Sequence, residues 1–462
     1  MYAATIGLEI HAELQTRTKM FCSCRNDSEE RAPNRNICPV CMGHPGTLPV
    51  INKEAVRKVL LVGAALGAEL ADYTEFDRKN YFYPDIPKGY QISQYAYPLV
   101  KGGVLNGIEI TRVHLEEDTA RSQHEGEHSI VDFNRAGVPL MELVTEPVLH
   151  SAAEAAQFAR ELQLLLRSLG ASAANMEKGE MRLEANVSVS RTVLKDGLSK
   201  DGPLGTKVEV KNLNSFRSVE RSIVYELERQ TTLLERGEQV VQETRGWDEA
   251  AQKTYSQRKK ESSHDYRYFP DPDLPSLRLG EISIFKNLKL PELPWQRRAR
   301  YSELGLKSED ADLFVREPQY GDLFDSMQSM DKEKVLLAAN YIANDLAGQG
   351  RVVDAPRFKK LIDMIAQGEL SSRGAKDTLA HMFADGRDPE VLAKEKGLVQ
   401  QHDESALLAV AKKVVESNPS VVADYKAGKE QALQFLVGQG MRESRGSANP
   451  EALRKALLQV LG

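Results

Sequence analysis

Two stretches, IGLEIHAEL at residues 6–14 and MRLEANVSVS at residues 181–190, decide how this chain folds. In the first, Ile6, Leu8 and Ile10 alternate with Glu9, His11 and Glu13. In the second, Leu183, Ala185, Val187 and Val189 alternate with Arg182, Glu184, Asn186, Ser188 and Ser190. Successive side chains of a strand point to opposite faces, so each stretch reads as a strand with one apolar and one polar face. The same reading extends to Val208 and Val210 against Lys207, Glu209 and Lys211, and to His114, Glu116 and Asp118 on one side of 112–118. The expectation is an antiparallel sheet with one face on a core and the other wet.

Outward from these strands the pattern changes to helical. Ser151 and Glu154 form a capping box ahead of Phe158, Leu162, Leu165, Leu166 and Leu169, with Gly170 as the stop. A second helix is expected over about 217–237 on Val219, Ile223 and Leu227. Pro270, Pro272, Pro275, Pro291 and Pro294 then mark a boundary, after which helical periodicity dominates. It includes Leu407, Val410, Ala411 and Val414 before Asn418-Pro419, and a last helix capped by Asn449 and opened by Pro450. The fold class is therefore α+β, with an N-terminal sheet domain at 1–293, a helical domain at 294–397 and a small helical tail domain at 398–462.

Composition excludes several classes. The 462 residues hold 61 Lys+Arg against 67 Asp+Glu, a net charge of -6, so any nucleic-acid surface must be local. The window 425–462 is such a place, with Lys426, Lys429, Arg442, Arg445, Arg454 and Lys455 facing three glutamates. The longest nearly apolar run, Val59–Ala68, is too short to span a membrane, and residues 1–16 lack the layout of a secretory signal. A soluble, cytoplasmic protein is expected.

Three groups of residues carry chemistry. Cys22 and Cys24, then Cys38 and Cys41, are the only four cysteines; two close pairs across a loop supply four thiolates for a closed, structural zinc site. The bland alternative is four ordinary or disulfide-paired cysteines. Glu9, His11, Glu116, Glu117, Glu142 and Glu184 exceed what solvating a sheet requires, and hard oxygens with one imidazole suit magnesium and a polyphosphate. An ordinary solvated face competes with that reading. Glu116 and Glu117 cannot face the same way in a regular strand: a bulge intervenes, or one is not a ligand. Finally, aromatics interleave with Arg78, Lys79 and Lys88 in residues 76–91, and again in DYRYFPDPDL at 265–274. Rings for a base and cations for phosphate fit a nucleotide or RNA end, against the alternative of aromatic core with surface charge. Neither Walker A nor GxGxxG occurs.

In these segments the chain resembles the B-subunit (GatB) family of the aspartyl/glutamyl-tRNA amidotransferases. The motifs are IGLEIH at 6–11, FDRKNYFYPDIPKGYQISQY at 76–95, RVHLEED at 112–118, VDFNRAGVPLMELV at 131–144, EVKNLNSF at 209–216, DYRYFPDPDLP at 265–275 and FLVGQGMRESRGSANP at 435–450. They span nearly the whole chain in order.

The resemblance implies a cradle-like catalytic domain and a glutamine-hydrolysing carbon–nitrogen ligase. ATP phosphorylates the side-chain carboxylate of Glu on tRNA(Gln) or Asp on tRNA(Asn), and ammonia then displaces phosphate. It implies magnesium held by Glu9, His11, Glu117 and Glu142, with Glu116 and Glu184 nearby. Nucleotide contacts are implied for Arg78, Lys79, Tyr81, Lys88, Tyr90, Lys211, Asn212, Asn214 and Ser215, and tRNA contacts for Lys426, Lys429, Arg442 and Arg445. Position 184 departs from the family's Arg-x-Asp-x-Asn, reading Arg182-Leu183-Glu184-Ala185-Asn186. The zinc knuckle is not universal in the family, in keeping with a structural role. With the cysteines on zinc, and Ser262-Ser263 and Ser371-Ser372 outside any glycine-rich amidase setting, glutamine hydrolysis is expected in a partner. The family supplies it as an amidase-type glutaminase subunit, in a heterotrimer completed by a small third subunit. Two rivals remain: a non-catalytic RNA-binding scaffold, and a zinc hydrolase with an open coordination position.

Overall fold

A computed structural model describes residues 2–27, 29–191, 204–259, 266–400, 404–444 and 448–462. The chain divides into two compact units, 1–294 and 295–462.

The first unit is organised by a ten-stranded sheet. Its principal strands are β1 (Tyr2–Glu13), β4 (Ile108–Glu117), β5 (Pro139–Thr145), β6 (Met181–Arg191), β7 (Val208–Leu213), β8 (Glu243–Asp248) and β9 (Lys253–Lys259). Numbers β2 (Asp77–Asn80) and β3 (Tyr90–Ser93) belong to a small hairpin outside that sheet. The order runs β9-β8-β7-β6-β1-β5-β4, continued by short strands at 100–101 and 69–70. The pairing is antiparallel except between β7 and β8. That exception departs from the purely antiparallel expectation, and its cause is the connection: helix α3 (Phe216–Glu235) follows β7 and returns the chain as a crossover, as parallel neighbours require.

One face of the sheet is dry. Ile6, Leu8, Ile10 and Ala12 of β1, and Leu183, Ala185 and Val187 of β6, are at most 1% exposed. They join one core with helices α1 (Lys53–Ala65), α2 (Ala152–Ser168) and α3. Each fully buried Val, Leu or Ile side chain there stabilises the fold by roughly 2 kcal/mol. Helix α2 starts where its sequence says: Ser151 Oγ accepts from Glu154 N and the Glu154 carboxylate accepts from the Ser151 backbone. Ser215 caps α3 by accepting from Ser218 N at 3.0 Å. Beneath α3 the fully buried Glu226 accepts from Arg229, Gln230 and Thr254, which ties the helix to β9.

The second unit is helical across its described residues. One apolar cluster gathers around Tyr301, Phe314, Phe324 and Phe358. A separate one is built from Leu407, Ala411, Leu436, Leu453 and Leu457 on the helices Glu404–Ser417, Gln431–Glu443 and Pro450–Leu461. Asn449 caps the last of these, accepting from Glu451 N and Ala452 N, with Pro450 in the first turn.

Candidate functional site

Strand register assembles the polar face of the sheet. Arg182, His11, Glu142 and His114 form one row across β6, β1, β5 and β4. Glu184, Glu9, Val144 and Arg112 form the adjoining row, and Glu13, Leu140 and Glu116 the row on the other side. A wet face was one expectation, but this one is covered in part: Glu9, His11 and Glu184 are half-buried and their neighbours more deeply so. Glu116 is 2% exposed, Glu142 8% and Glu209 7%. The β2–β3 hairpin and the segment 266–270 supply part of the cover: Phe269–Pro270 pairs with β2, and Ser93 Oγ donates to Glu116 Oε2 at 3.0 Å. What lies between them is a cleft of about 340 Å³ lined by Glu9, His11, His114, Glu142, Glu184 and Glu209 together with Lys79, Lys211, Tyr266 and Tyr268.

Two groups of side chains that could each hold a metal ion meet in this face. His11, Glu116 and Glu142 each bring a ligand atom within 4.8 Å of the others, and so do Glu9, Glu184 and Glu209. Glu142 Oε2 sits 3.3 Å from His11 Nε2 and 3.2 Å from His114 Nε2. Burial opposes charge on His11, but Glu142 and then Glu116 override it and push the imidazole up to about 9. His114 is raised for the same reason, against its burial. In return Glu142 is held well below the usual carboxylate range by the two imidazoles, despite its burial. In the second set Lys211 Nζ lies 2.9 Å from the Glu184 carboxylate, and Asn186 Nδ2 donates to Glu9 Oε1 at 2.8 Å. The longer Glu184 thus engages a lysine and joins the second set.

Glu117 is not brought to these groups. No register shift interrupts β4 between 116 and 117, so alternation turns Glu117 to the opposite side. There it accepts from Ile92 N at 3.0 Å and pairs with Lys88. Of the expected set of Glu9, His11, Glu117 and Glu142, the structure brings His11 and Glu142 together with Glu116, puts Glu9 in the neighbouring group and sets Glu117 apart.

Of the residues expected to contact nucleotide, Lys79 and Lys211 line the cleft. Lys79 Nζ stands 5.1 Å from the Tyr266 ring centroid and 5.8 Å from that of Tyr81. Burial disfavours its charge, yet Glu116 and the tyrosines around it hold it above the ordinary lysine value. Tyr268 stacks on Tyr95 with centroids 4.4 Å apart. Arg78 is committed elsewhere, bonded to Asp271 and Asp273 at 2.8 and 2.9 Å and lying 4.2 Å over Tyr90. Lys88 and Tyr90 line a second pocket, beside the cysteines. Asn212 takes φ 66° in the irregular β6–β7 pairing, Asn214 is exposed, and the Ser215 hydroxyl is the α3 cap. Residue-by-residue reading did not name His114, Glu209, Arg112, Tyr266 or Tyr268 individually: His114 and Glu209 were visible only in the strand alternation, and Tyr266 and Tyr268 only as part of the aromatic stretch at 265–274.

The four cysteine sulfurs also lie within 4.8 Å of one another. Tetrahedral zinc at about 2.3 Å from each sulfur requires sulfurs about 3.8 Å apart, and Cys38 Sγ and Cys41 Sγ are 3.9 Å apart. Cys38 N donates to Cys41 Sγ at 3.1 Å. The hydrogen bond from Cys22, and next the Lys19 ammonium, bring Cys41 down to about 5 against its burial. The arrangement fits a closed thiolate site with no open position. The turn after Cys41 needs Gly43: at φ +67° a Cβ would stand 2.6 Å from Lys88 Cγ.

Of the tail residues, Lys426, Lys429 and Arg442 are exposed, with Lys429 2.9 Å from Asp424. Arg445 lies outside the described residues, as do Ser262 and Ser263.

Comparison with known proteins decides the family. Residues 4–284 match the family model described as GatB/GatE catalytic domain. The chain belongs to the GatB family. Residues 333–461 match a second model, described as GatB domain. Among its relatives is the aspartyl/glutamyl-tRNA(Asn/Gln) amidotransferase B subunit of Thermomicrobium roseum, 46% identical over 100% of this chain and 99% of the relative. The protein of the same name from Thermus thermophilus is 44% identical over 100% of both chains. That from Herpetosiphon aurantiacus is 45% identical over 99% of this chain and 98% of its own. No described helix is long and apolar enough to cross a membrane.

Proposed function

We infer that this chain is the component of a tRNA-dependent amidotransferase that activates the side-chain carboxylate of Glu on tRNA(Gln), or of Asp on tRNA(Asn), for amidation. The observation carrying this is the covered polar sheet face, where His11, Glu116 and Glu142 converge beside Lys79 and Lys211. A solvating surface has no use for buried carboxylates held ionised by two imidazoles.

The reaction needs a leaving group, because a carboxylate is a poor electrophile. Its oxygen attacks the γ-phosphorus of ATP, ADP departs, and the resulting acyl phosphate loses phosphate when ammonia attacks its carbonyl carbon. His11, Glu116 and Glu142 would hold magnesium, whose charge neutralises the phosphate oxygens handled in the transfer. Glu9 and Glu184 stand next to that position, with Lys211 paired to Glu184 and near Glu209. Lys79, boxed by Tyr81 and Tyr266, presents its ammonium to the cleft as a fixed anchor for an anionic oxygen.

Zinc on Cys22, Cys24, Cys38 and Cys41 would stabilise the fold alone, since four thiolates close the shell. Ammonia then comes from an amidase-type glutaminase subunit, joined with a small third subunit in a cytoplasmic heterotrimer. Residues 398–462 form a tail domain that grips tRNA through Lys426, Lys429, Arg442 and Arg445.

The test is ATP hydrolysis dependent on mischarged tRNA by the assembled complex. His11→Ala and Glu142→Ala abolish it with tRNA binding intact, while Glu117→Gln leaves ATP hydrolysis standing. Full turnover in His11→Ala sinks the assignment, and turnover without ATP sinks the activation step.

A further inference from the structure

Lys19 is fully buried. Its ammonium donates to Phe133 O at 3.3 Å and points at Cys41 Sγ, 4.0 Å away. Among the described residues no carboxylate stands within ion-pair distance of it. A buried ammonium without an anion is costly, and ordinarily the group neutralises or is excluded. Glu117, whose carboxylate lies like the lysine stem beside Gly137, is already engaged with Lys88.

The backbone fixes this placement. Lys19 N donates to Cys24 O at 2.9 Å, and Met20 N donates to Gly137 O at 2.7 Å. Gly137 has φ +83°, and a Cβ there would meet Cys41 Cβ at 3.5 Å and Lys19 Cδ at 3.6 Å. Lysine stem, cysteine loop and glycine turn are packed into one knot.

Four thiolates around a divalent zinc ion leave a net charge of about 2−. On its buried side, at Cys41, that charge needs donors and counter-charge, which groups beyond the ligands commonly provide. Cys38 N–H is one such donor to Cys41 Sγ, at 3.1 Å. We propose that Lys19 is the charge-compensating residue of the four-thiolate metal site: its buried ammonium lowers the net charge of the loaded site to about 1− and slows metal loss. The buried lysine and the buried Cys41 thiolate each remove the cost of the other. This rests on reading the four cysteines as a zinc site.

The test uses the full chain and zinc alone. Zinc content of the unsubstituted chain comes first; a chain without bound zinc overturns the site reading, before any Lys19 variant is made. Release of zinc to a chromophoric chelator is then timed. Lys19→Met is expected to release it at least about tenfold faster, and Lys19→Arg, which keeps the charge, to stay closer to the unsubstituted rate. Equal rates for all three overturn the proposal. A second measurement works even where Lys19→Met folds poorly with the cysteines present. In a chain with all four cysteines replaced by serine, Lys19→Met should raise the thermal midpoint, because the ammonium there has lost its anion. A lowered midpoint in that background overturns the proposal. So does a loss of the Lys19→Met effect in Glu117→Gln, which would make Glu117 the counter-ion.

Discussion

Replacing Glu142 by glutamine tests the electrostatics of the polar face directly. The carboxylate is 8% exposed and its Oε2 serves both His11 Nε2 and His114 Nε2, at 3.3 and 3.2 Å. With His11 raised from 6.5 to about 9, its protonated form is favoured by folding. A group whose folded value exceeds its unfolded one gives stability that is fully present below the unfolded value and lost as pH rises through the folded value. Raised that far, His11 contributes about 3 kcal/mol below pH 6.5, vanishing above pH 9. Glutamine keeps the shape and removes the charge that most raises His11, so burial then wins. In magnesium-free buffer Glu142→Gln is therefore expected to cost up to about 3 kcal/mol at pH 6, shrinking toward nothing by about pH 10. Denaturant unfolding followed by Trp247 fluorescence in a Trp295→Phe background reads the first unit, since the chain holds only 2 tryptophans. A stability difference that is the same at about pH 6 and about pH 9.5 refutes the reasoning. Added magnesium must displace the His11 proton, so its stabilising effect on the unsubstituted chain should grow from about pH 7 to about pH 9 and be absent in the variant.

Other perturbations separate roles that sequence alone confounds. Ser215→Ala should cost about 1 kcal/mol through the lost α3 cap and leave KM for ATP unchanged; Ser215→Asp, which can still accept from Ser218 N, should recover the stability in denaturant titrations. Lys79→Ala should lower kcat/KM for ATP hydrolysis by about 10²-fold, the scale of losing one preorganised donor, with Lys79→Arg intermediate. Tyr268→Ala removes the stacked partner of Tyr95 and should lose about 1 kcal/mol beyond its area term in a double-mutant cycle with Tyr95→Ala. Replacing Lys426 and Arg442 together by alanine should weaken tRNA binding and flatten its dependence on log salt by about 2 if both touch phosphate. An unchanged salt slope removes them from the interface.

Most of the architecture was legible because strand periodicity is a local signal. Alternation in 6–14 and 181–190 told which residues face the helices, and the Ser151–Glu154 pair told where α2 starts. What alternation cannot tell is which strands become neighbours. His11, Glu142 and His114 form a row only because β5 lies between β1 and β4, with 130 residues of chain between His11 and Glu142. The parallel β7–β8 pair was hidden for the same reason: a strand carries no mark of its partner's direction. Nor does the sequence say that the polar face is covered. Exposed and buried carboxylates read alike, and only the docking of β2, β3 and residues 266–270 turns a hydrophilic strand face into an electrostatic site.

The Glu116–Glu117 pair shows how far local reasoning reaches. Two adjacent carboxylates on a strand must part, so the sequence already required a bulge or a division of labour. The structure has no bulge there, and the two groups serve opposite faces: Glu116 beside His11 and Glu142, Glu117 on Lys88 next to the cysteine pocket. One strand end thus joins the carboxylate cleft on one side to the thiolate site on the other, with a single peptide between them. Glu116→Gln and Glu117→Gln, alike in sequence and in the charge they remove, should then differ in kind. The first should weaken Mn2+ binding measured by electron paramagnetic resonance. The second should leave Mn2+ bound and free the Lys88 ammonium instead. Equal losses of Mn2+ affinity would mean that both carboxylates reach one ion, which a regular strand forbids.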